Sequence, residues 1–286
     1  MKCLLTILIV GLSCFLPAYG DDAIEHYNLG LAYADKGMLD KAIAEWKEAI
    51  RLNPSLAEAH YNLGVAYDNK GMLDKAIEAY QTAIRINPNY AEAHSNLGIA
   101  YKNKGMLDEA IEAYQIAIRL KPNLVEAHVN LGVAYKDKGM LDEAIEACRT
   151  AIRLNPNLAE AHYNLGVAYA DKGMLDEAIE AFQIAIRLNP NDAEAHYNLG
   201  NAYKDKGRLD EAIEAYQTAI RLNPNLAEAH YNLGIAYKNK GMLDEAITHY
   251  EAFIRLARDN PVLRSFIPEV EHRVQVIRKT IELFGK

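Results

Sequence analysis

The 286-residue sequence is 50% hydrophobic and carries a formal net charge of −8 at pH 7. The apolar content is ample for a folded core and argues against a disordered chain. Its acidic balance disfavours a nucleic-acid partner, because neutralising phosphates requires clustered Lys and Arg side chains.

The first 20 residues differ from all that follow. Lys2 precedes an apolar run over residues 4–16, and small residues occur within residues 18–20. This pattern is typical of a secretory signal peptide. The apolar run is shorter than the roughly 20 residues of a spanning helix, although an uncleaved membrane anchor is the alternative. We therefore predict a signal peptide over residues 1–20, a periplasmic or secreted location, and no membrane span after cleavage.

From residue 23 the sequence repeats itself every 34 residues. The segment at 57–64, Ala-Glu-Ala-His-Tyr-Asn-Leu-Gly, recurs five times downstream and, in altered form, once upstream. A period of this length indicates a solenoid of stacked structural units. Seven gapless repeats are predicted, at 23–56, 57–90, 91–124, 125–158, 159–192, 193–226 and 227–260.

Each repeat is predicted to form two helices, A and B. In the second repeat, Ser55 and Glu58 have the spacing of a capping box at the start of helix A. Gly71 is expected to end helix A in a left-handed conformation. Asp74 is expected to cap helix B, which ends at Asn87-Pro88 because the residue before proline avoids helical geometry. The same capping role as Ser55 is expected of Asn89 and Asn123.

Apolar residues fall at helical spacing in both helices. Gly64 stands where the two helices must approach closely. A single helix pair cannot bury its own apolar face, so we expect the pairs to stack into an all-α array. The expected core residues of the second repeat are Ala59, Leu63, Ala66, Tyr67, Ala76, Ile77, Tyr80, Ala83 and Ile84.

These positions resemble the tetratricopeptide repeat family over residues 23–260. The resemblance implies a right-handed superhelical solenoid whose concave face is lined by helix A and binds proteins or peptides. Within the family, the repeats are most similar to the arm of O-linked N-acetylglucosamine transferases, which carries an asparagine ladder. The family pattern of Trp, Leu-Gly, Tyr, Ala, Phe and Pro is matched here by His60, Leu63-Gly64, Tyr67, Ala76, Tyr80 and Pro88.

Two rows of polar residues recur on helix A and are the candidate peptide-binding residues. A carboxamide can pair with a peptide C=O and N–H together, so an asparagine row could hold an extended chain. A solvated consensus surface is the alternative. The tyrosine row is interrupted by Ser95 and Val129. The rows are Asn28, Asn62, Asn96, Asn130, Asn164, Asn198 and Asn232, and Tyr27, Tyr61, Tyr163, Tyr197 and Tyr231.

The resemblance also implies which residues of a repeat line the groove. A row of lysines just before the helix-ending glycine is expected to be a solvated rim without a ligand. For the second repeat, the groove residues are Glu58, Tyr61, Asn62, Val65, Asp68 and Asn69.

Histidine recurs once per repeat, but the spacing disfavours a metal ladder. Packed helices lie about 8–10 Å apart, whereas metal–nitrogen bonds are about 2 Å long. We therefore predict that each histidine fills the slot of the family tryptophan, beside helix B of its own repeat. These residues are His26, His60, His94, His128, His162, His196 and His230.

Motifs for chemistry are missing from the sequence. GxxxxGK[ST], GxGxxG, HExxH and CxxC do not occur, so we expect no enzyme activity, no cofactor and no metal. Cys3 and Cys14 lie in the predicted signal peptide, which leaves Cys148 without a partner for an intramolecular disulfide. Cys148 takes the place of Tyr80 in its repeat and is expected to be a small core residue.

The last 26 residues, 261–286, break the repeat. They are predicted to form an amphipathic helix over residues 265–284 that caps the solenoid; a partner-binding helix is the alternative. Its apolar stripe is Val270, Val274, Ile277, Ile281 and Phe284, and its polar face is Glu271, Arg273, Arg278 and Lys279.

We therefore expect a non-enzymatic scaffold in the cell envelope that holds an extended peptide or a partner protein in its groove. Self-assembly into a homo-oligomer is the first alternative, because nearly identical repeats can stack end to end. An accessory subunit of a glycosyltransferase or of an envelope assembly machine is a further alternative. The pattern does not identify the partner.

Overall fold

The computed structural model describes residues 21–284, so the predicted signal peptide, with Cys3 and Cys14, lies outside the described residues. Within that range the chain is all helical, with sixteen helices and no strand. These helices belong to two compact units, which meet in sequence at Leu120 and Lys121.

The first compact unit, up to Leu120, contains three helix–turn–helix pairs within its described residues. Its helices are α1 (Asp21–Asp35), α2 (Leu39–Leu52), α3 (Ala57–Asn69), α4 (Leu73–Ile86), α5 (Ala91–Asn103) and α6 (Leu107–Leu120).

The second compact unit, from Lys121, contains four such pairs and two further helices within its described residues. The paired helices are α7 (Val125–Asp137), α8 (Leu141–Leu154), α9 (Ala159–Asp171), α10 (Leu175–Leu188), α11 (Ala193–Asp205), α12 (Leu209–Leu222), α13 (Ala227–Asn239) and α14 (Leu243–Ala257), and they are followed by α15 (Pro261–Arg264) and α16 (Ile267–Phe284).

The turn inside each pair is made by a left-handed glycine, as predicted. Gly71 has φ +71°, a conformation that costs little without a Cβ atom. The N–H of Met72 donates to the carbonyl oxygen of Tyr67 at 2.9 Å, and the N–H of Gly71 donates to Asp68 at 2.8 Å. These bonds satisfy the last carbonyls of α3 and reverse the chain toward α4.

The predicted capping boxes are wrong. Helix α3 begins at Ala57 with Leu56 as its N-cap, so Ser55 lies outside the helix. The N–H of Ser55 donates to Oδ1 of Asn53 at 3.1 Å, so asparagine closes the turn instead. The physical reason is burial, because Leu56 is 5% exposed and packs with Ala49 and Ala59. The same shift places Asn89 and Asn123 before Tyr90 and Leu124, the N-caps of α5 and α7.

The close approach predicted at Gly64 is confirmed. A Cβ atom there would lie 2.6 Å from a ring carbon of Tyr80, and Tyr80 is fully buried. Cys148 occupies the equivalent place in α8 and is 1% exposed. Burial raises the pKa of the Cys148 thiol to about 12. Cys148 is therefore the small core residue that the sequence predicted.

The C-terminal helix packs on the last pair. Val270, Val274 and Ile277 of α16 are buried in the same cluster as residues of α14. The helix begins at Ile267 rather than at residue 265 because α15 precedes it. Arg273 of the predicted polar face pairs with Glu269 at 2.7 Å, and its guanidinium carbon lies 5.9 Å from the ring centroid of Tyr231. The side chain of Phe284, the last residue of the predicted stripe, lies outside the described residues.

Across residues 21–284, no helix combines the length and the apolar character needed to cross a membrane.

Candidate functional site

The asparagine and tyrosine rows are joined to each other by hydrogen bonds. In the first compact unit, Nδ2 of Asn62 donates to the hydroxyl oxygen of Tyr27 at 3.1 Å. Nδ2 of Asn96 donates to the hydroxyl oxygen of Tyr61 at 2.9 Å. Each tyrosine lies on helix A of the preceding pair. The rows therefore connect neighbouring helix pairs, which the sequence analysis did not anticipate.

The same bond recurs in the second compact unit. Nδ2 of Asn198 donates to the hydroxyl oxygen of Tyr163 at 2.9 Å, and Nδ2 of Asn232 donates to that of Tyr197 at 3.1 Å. Each of these asparagines therefore uses its amide group as a donor in a hydrogen bond within the protein. The constant separation of 35 residues between the partners was the signal available in the sequence.

Asn164 is different from these four asparagines. The tyrosine that would accept its bond is replaced by Val129, which is buried and has no hydroxyl. Among the described residues, the carboxamide of Asn164 has no hydrogen-bond partner. Asn164 is half-buried on α9, so both its amide N–H groups and its carbonyl are available to a ligand.

Among the described residues, Asn28, Asn130 and Tyr231 do not take part in these asparagine–tyrosine bonds. Asn28 lies exposed on α1, and Asn130 lies partly exposed on α7. Tyr231 packs against Phe253, with ring centroids 5.3 Å apart, and also lies beneath Arg273 of the C-terminal helix.

The groove residues expected in the second repeat divide into three groups. Val65 does not line the groove as expected, because its side chain is buried. It is 9% exposed and belongs to the same buried cluster as Trp46. Glu58 and Asp68 are half-buried, and Asn69 is exposed. Burial raises the pKa of the Asp68 carboxyl.

Asn201 forms a polar centre that sequence reasoning missed. Its Oδ1 accepts from the hydroxyl of Tyr216 at 2.7 Å and from Nδ2 of Asn232 at 2.8 Å. The sequence feature that could have revealed this polar centre is a departure from the repeat, because Asn201 replaces an aliphatic residue such as Ile235. Where the aliphatic residue stands, the equivalent buried hydroxyl has no partner among the described residues, as at Tyr114.

Burial raises the pKa of four tyrosines of the row, Tyr27, Tyr61, Tyr163 and Tyr197. Burial, with a smaller effect of Glu92, raises the pKa of Tyr61 to about 12. Burial also raises the pKa of Tyr163 to about 12, and the nearby carboxylates of Glu194 and Asp192 contribute. These phenols therefore act as hydrogen-bonding groups and aromatic surfaces, not as charges.

The histidines of the second to sixth repeats hydrogen-bond the turn that precedes helix A, a contact that the predicted place beside helix B did not include. Nε2 of His60 lies 3.2 Å from the carbonyl oxygen of Pro54, and Nε2 of His162 lies 3.0 Å from that of Pro156. A proline carbonyl has no helical partner, so the imidazole N–H satisfies it. Within the described residues, no group of three or more His, Cys, Asp or Glu side chains could hold a metal ion.

The terminal histidines have side-chain partners instead. Nδ1 of His26 lies 2.6 Å from a carboxylate oxygen of Glu45. Nδ1 of His230 lies 3.1 Å from Nδ1 of His249, whose ring stacks on Tyr237 with centroids 5.5 Å apart. Burial, and then the charge of His230, lowers the pKa of His249 to about 4.

The lysine row before the helix-ending glycine is an array of ion pairs. Nζ of Lys70 lies 2.6 Å from a carboxylate oxygen of Asp40, in the first turn of the preceding helix B. Lys104 contacts Asp74 in the same way, so Asp74 is not the predicted cap of α4. The aspartates are more than three-quarters exposed, and such pairs contribute about 0–1 kcal/mol each.

Family models match nearly the whole repeated region. The model described as "TPR repeat" matches residues 30–71, 69–105, 102–139, 134–173, 168–207 and 200–241. The model described as "Tetratricopeptide repeat" matches residues 227–260. The chain belongs to the tetratricopeptide repeat family. Its helix pairs are therefore tetratricopeptide pairs, and the family indicates a protein-interaction scaffold.

Solved structures of tetratricopeptide proteins are similar to this chain. A structure of MamA is 38% identical, covers 56% of this chain and 94% of its own, and has a TM-score of 0.53. YrrB, described as a TPR protein with an unusual peptide-binding site, is 27% identical, with coverages of 65% and 96% and a TM-score of 0.54. MamA from Desulfovibrio magneticus RS-1 is 26% identical, with coverages of 60% and 97% and a TM-score of 0.56. No curated protein matches the chain.

Proposed function

We propose that this tetratricopeptide protein is an exported, non-catalytic scaffold that holds an extended polypeptide against the helix A face of its second compact unit. The observation that carries the proposal is the unpartnered carboxamide of Asn164, on a row in which Asn62, Asn96, Asn198 and Asn232 bind tyrosine. A carboxamide with a free acceptor and free donors can pair with both polar groups of a peptide unit.

The residues beside Asn164 would hold the site rigid. Tyr163 is fixed by Asn198 from α11, and its ring lies 6.0 Å from that of Phe182. A rigid site lowers the entropy lost when a flexible peptide binds. Use of the row as an asparagine ladder, as in the O-linked N-acetylglucosamine transferase arm, is part of this proposal. The peptide-binding site attributed to YrrB supports it by similarity.

Peptides selected from a random display library against the purified protein would test this function. The affinity of the best peptide would then be measured by calorimetry for wild type, Asn164→Ala and Asn157→Ala. We expect about tenfold weaker binding for Asn164→Ala, the loss of a bidentate contact. The matched control Asn157→Ala removes an exposed carboxamide in the α8–α9 turn and should bind normally. Equal affinity of wild type and Asn164→Ala would contradict the proposal.

Export is a separate part of the proposal and rests on residues 1–20. After expression with its own N-terminus, we expect the protein in the periplasmic or medium fraction, beginning at about residue 21. N-terminal sequencing would check this. A chain that keeps Lys2 in the membrane fraction would support the anchored alternative, and a cytoplasmic chain that keeps Lys2 would contradict export.

Self-association is the second candidate, favoured by apolar side chains exposed in α15, in α16 and in the two-residue link between them. Phe266 is 49% exposed and Leu283 is 74% exposed, and a second copy of the chain could bury these apolar side chains. Sedimentation velocity over a wide concentration range would test it. A concentration-dependent dimer that Phe266→Ser and Leu283→Ser abolish would support self-association, whereas a monomer throughout would exclude it.

A further inference from the structure

Helix α3 and the residue before it use one face to dock on the preceding helix pair. Leu56 and Ala59 pack with Ala49 of α2 in a buried cluster. Leu63 and Ala66 lie in a second buried cluster that also contains residues of α2. These four positions follow one another at intervals of three, four and three residues, which brings their side chains to one face of a helix. They form the docking stripe of a helix A.

The first repeat exposes the same stripe, because the described part of the chain contains no pair before α1. Asp22 and Glu25 stand where the second repeat has Leu56 and Ala59. Leu29 keeps the leucine of the repeat and is 40% exposed. The stripe of α1 is therefore acidic at its start and apolar toward its end. The α1 stripe consists of Asp22, Glu25, Leu29 and Ala32, all of them exposed.

Helix α16 carries a second exposed stripe, on the side opposite its buried residues. Val270, Val274 and Ile277 are buried, and helical spacing places the stripe on the other side of the helix. Val276 is 47% exposed and Leu283 is 74% exposed. The α16 stripe consists of His272, Val276, Lys279 and Leu283, all of them exposed.

The α16 stripe carries a positive charge that the protein itself does not compensate. Arg273 pairs with Glu269 at 2.7 Å. Arg278 pairs with Glu251 at 2.5 Å, and neither arginine belongs to the stripe. Lys279 forms no ion pair in the part of the chain that the structure describes. The α1 stripe contains two carboxylates and no cation, so the two stripes are complementary in charge.

We propose that the α16 stripe of one molecule docks antiparallel on the α1 stripe of a second copy. This inference rests on self-association, the second candidate function, and names the two surfaces that meet. An antiparallel alignment brings Lys279 to Glu25. In the same register Val276 meets Leu29, whereas a parallel alignment would set Lys279 against Leu29. Burial of the apolar residues favours the contact, and the opposite charges fix its orientation.

A contact between two α16 helices is less favourable. Their antiparallel alignment would place Lys279 of each copy against Val276 of the other. Each lysine would then lose water without gaining a carboxylate, which costs free energy. The α1 stripe supplies that carboxylate through Glu25. The contact is therefore heterologous, because it joins different surfaces of the two copies.

Sedimentation velocity over a wide concentration range would test this contact with charge-reversal variants. Glu25→Lys and Lys279→Glu each bring two like charges together, and the double variant restores an opposite pair with its signs exchanged. Glu180→Lys is the matched control, because it makes the same change of charge at an exposed position of α10. Circular dichroism would verify that each variant is as helical as wild type.

We expect wild type to associate as its concentration rises. Each single reversal should weaken association about tenfold, and the double variant should recover most of that loss. The control should associate as wild type does. No recovery in the double variant would overturn the pairing of Lys279 with Glu25. Equal losses in Glu180→Lys and Glu25→Lys would assign the effect to net charge and would also overturn it.

Leu29→Ser and Leu283→Ser separate this inference from self-association itself. Weaker association of both variants would support the contact between α1 and α16. If only Leu283→Ser weakens association, the copies meet through α16 without α1; the second candidate function then stands and the inference fails. A monomer at every concentration would overturn both.

Discussion

Asn198 and Tyr163 are joined across two neighbouring helix pairs by a hydrogen bond of 2.9 Å. Asn164, one repeat earlier, has no such bond because Val129 stands in the tyrosine position. One residue type in one row therefore has two roles, structural where tyrosine precedes it and available to a ligand where tyrosine is missing.

This difference predicts different stabilities for two alanine variants. Asn198→Ala removes the bond to Tyr163 and the longer bond that Asn198 accepts from Asn201, and should lower the free energy of unfolding by about 1 kcal/mol relative to Asn164→Ala. The gain in helix propensity is the same for both, so it cancels in the comparison. Urea denaturation followed by circular dichroism would measure the difference. Identical midpoints would show that the hydrogen bonds of Asn198 have no structural role.

Tyr216 and Asn201 offer a second test of buried polar contacts. Asn201→Val leaves the Tyr216 hydroxyl buried without a partner, and we expect a loss of about 1–3 kcal/mol. Tyr216→Phe in the same background removes the orphaned hydroxyl and should recover most of that loss. A double-mutant cycle from thermal or urea unfolding would measure the coupling. Additive effects of the two substitutions would contradict this account.

Close helix packing can be tested at two equivalent glycines. A Cβ atom at Gly166 would lie 2.7 Å from ring carbons of Phe182, whereas at Gly132 it would lie 2.8 Å from Sγ of Cys148. A ring held in the core cannot move aside, but a single sulfur can rotate. We expect Gly166→Ala to cost about 1–3 kcal/mol and Gly132→Ala to cost less. Equal losses in denaturation midpoint would show that the aromatic ring does not set the cost.

Acid should destabilise the protein through its buried histidines. Burial lowers the pKa of His60, His94 and His230 below 6.5 and that of His249 to about 4. Between these lowered pKa values and pH 6.5, the unfolded chain therefore binds more protons than the folded chain. The contribution of the neutral histidines to the free energy of unfolding is complete above pH 6.5 and is lost as the pH falls toward about 4. His26, whose pKa the Glu45 carboxylate raises, acts in the opposite direction.

Thermal melts at about pH 5 and pH 7.5 would check this pH dependence. We expect a lower midpoint at the acidic pH in wild type and a smaller difference in His249→Ala, which introduces the alanine found at this position in five other repeats. A midpoint unaffected by pH, or an unchanged difference in His249→Ala, would contradict the prediction.

The thiol of Cys148 should be inert in the folded protein. Burial raises its pKa to about 12, so almost no thiolate exists at neutral pH and the sulfur is also shielded. Alkylation by iodoacetamide, followed by mass spectrometry of the peptide that contains Cys148, would measure this. We expect labelling only in denaturant. Rapid labelling in native buffer would contradict the buried position.

Much of the fold follows from the sequence because its determinants are local. Glycine permits the left-handed turn that ends helix A, as at Gly71, and the helical spacing of Tyr67 and Tyr80 defines which faces are buried. The helix starts were predicted less well. Ser55 is a residue type that commonly caps helices, but burial of Leu56 determines where α3 begins. That burial depends on contact with a neighbouring helix pair.

The candidate site shows the same division between local and tertiary information. The sequence alone determined that Asn164 and Asn198 occupy the same position on helix A, because a strict 34-residue period repeats the local structure. Only the tertiary structure showed that Asn198 is bound to Tyr163 and Asn164 is not, because that bond joins residues 35 positions apart. The geometry of packing between pairs, rather than helix periodicity, decides which carboxamides remain available to a partner.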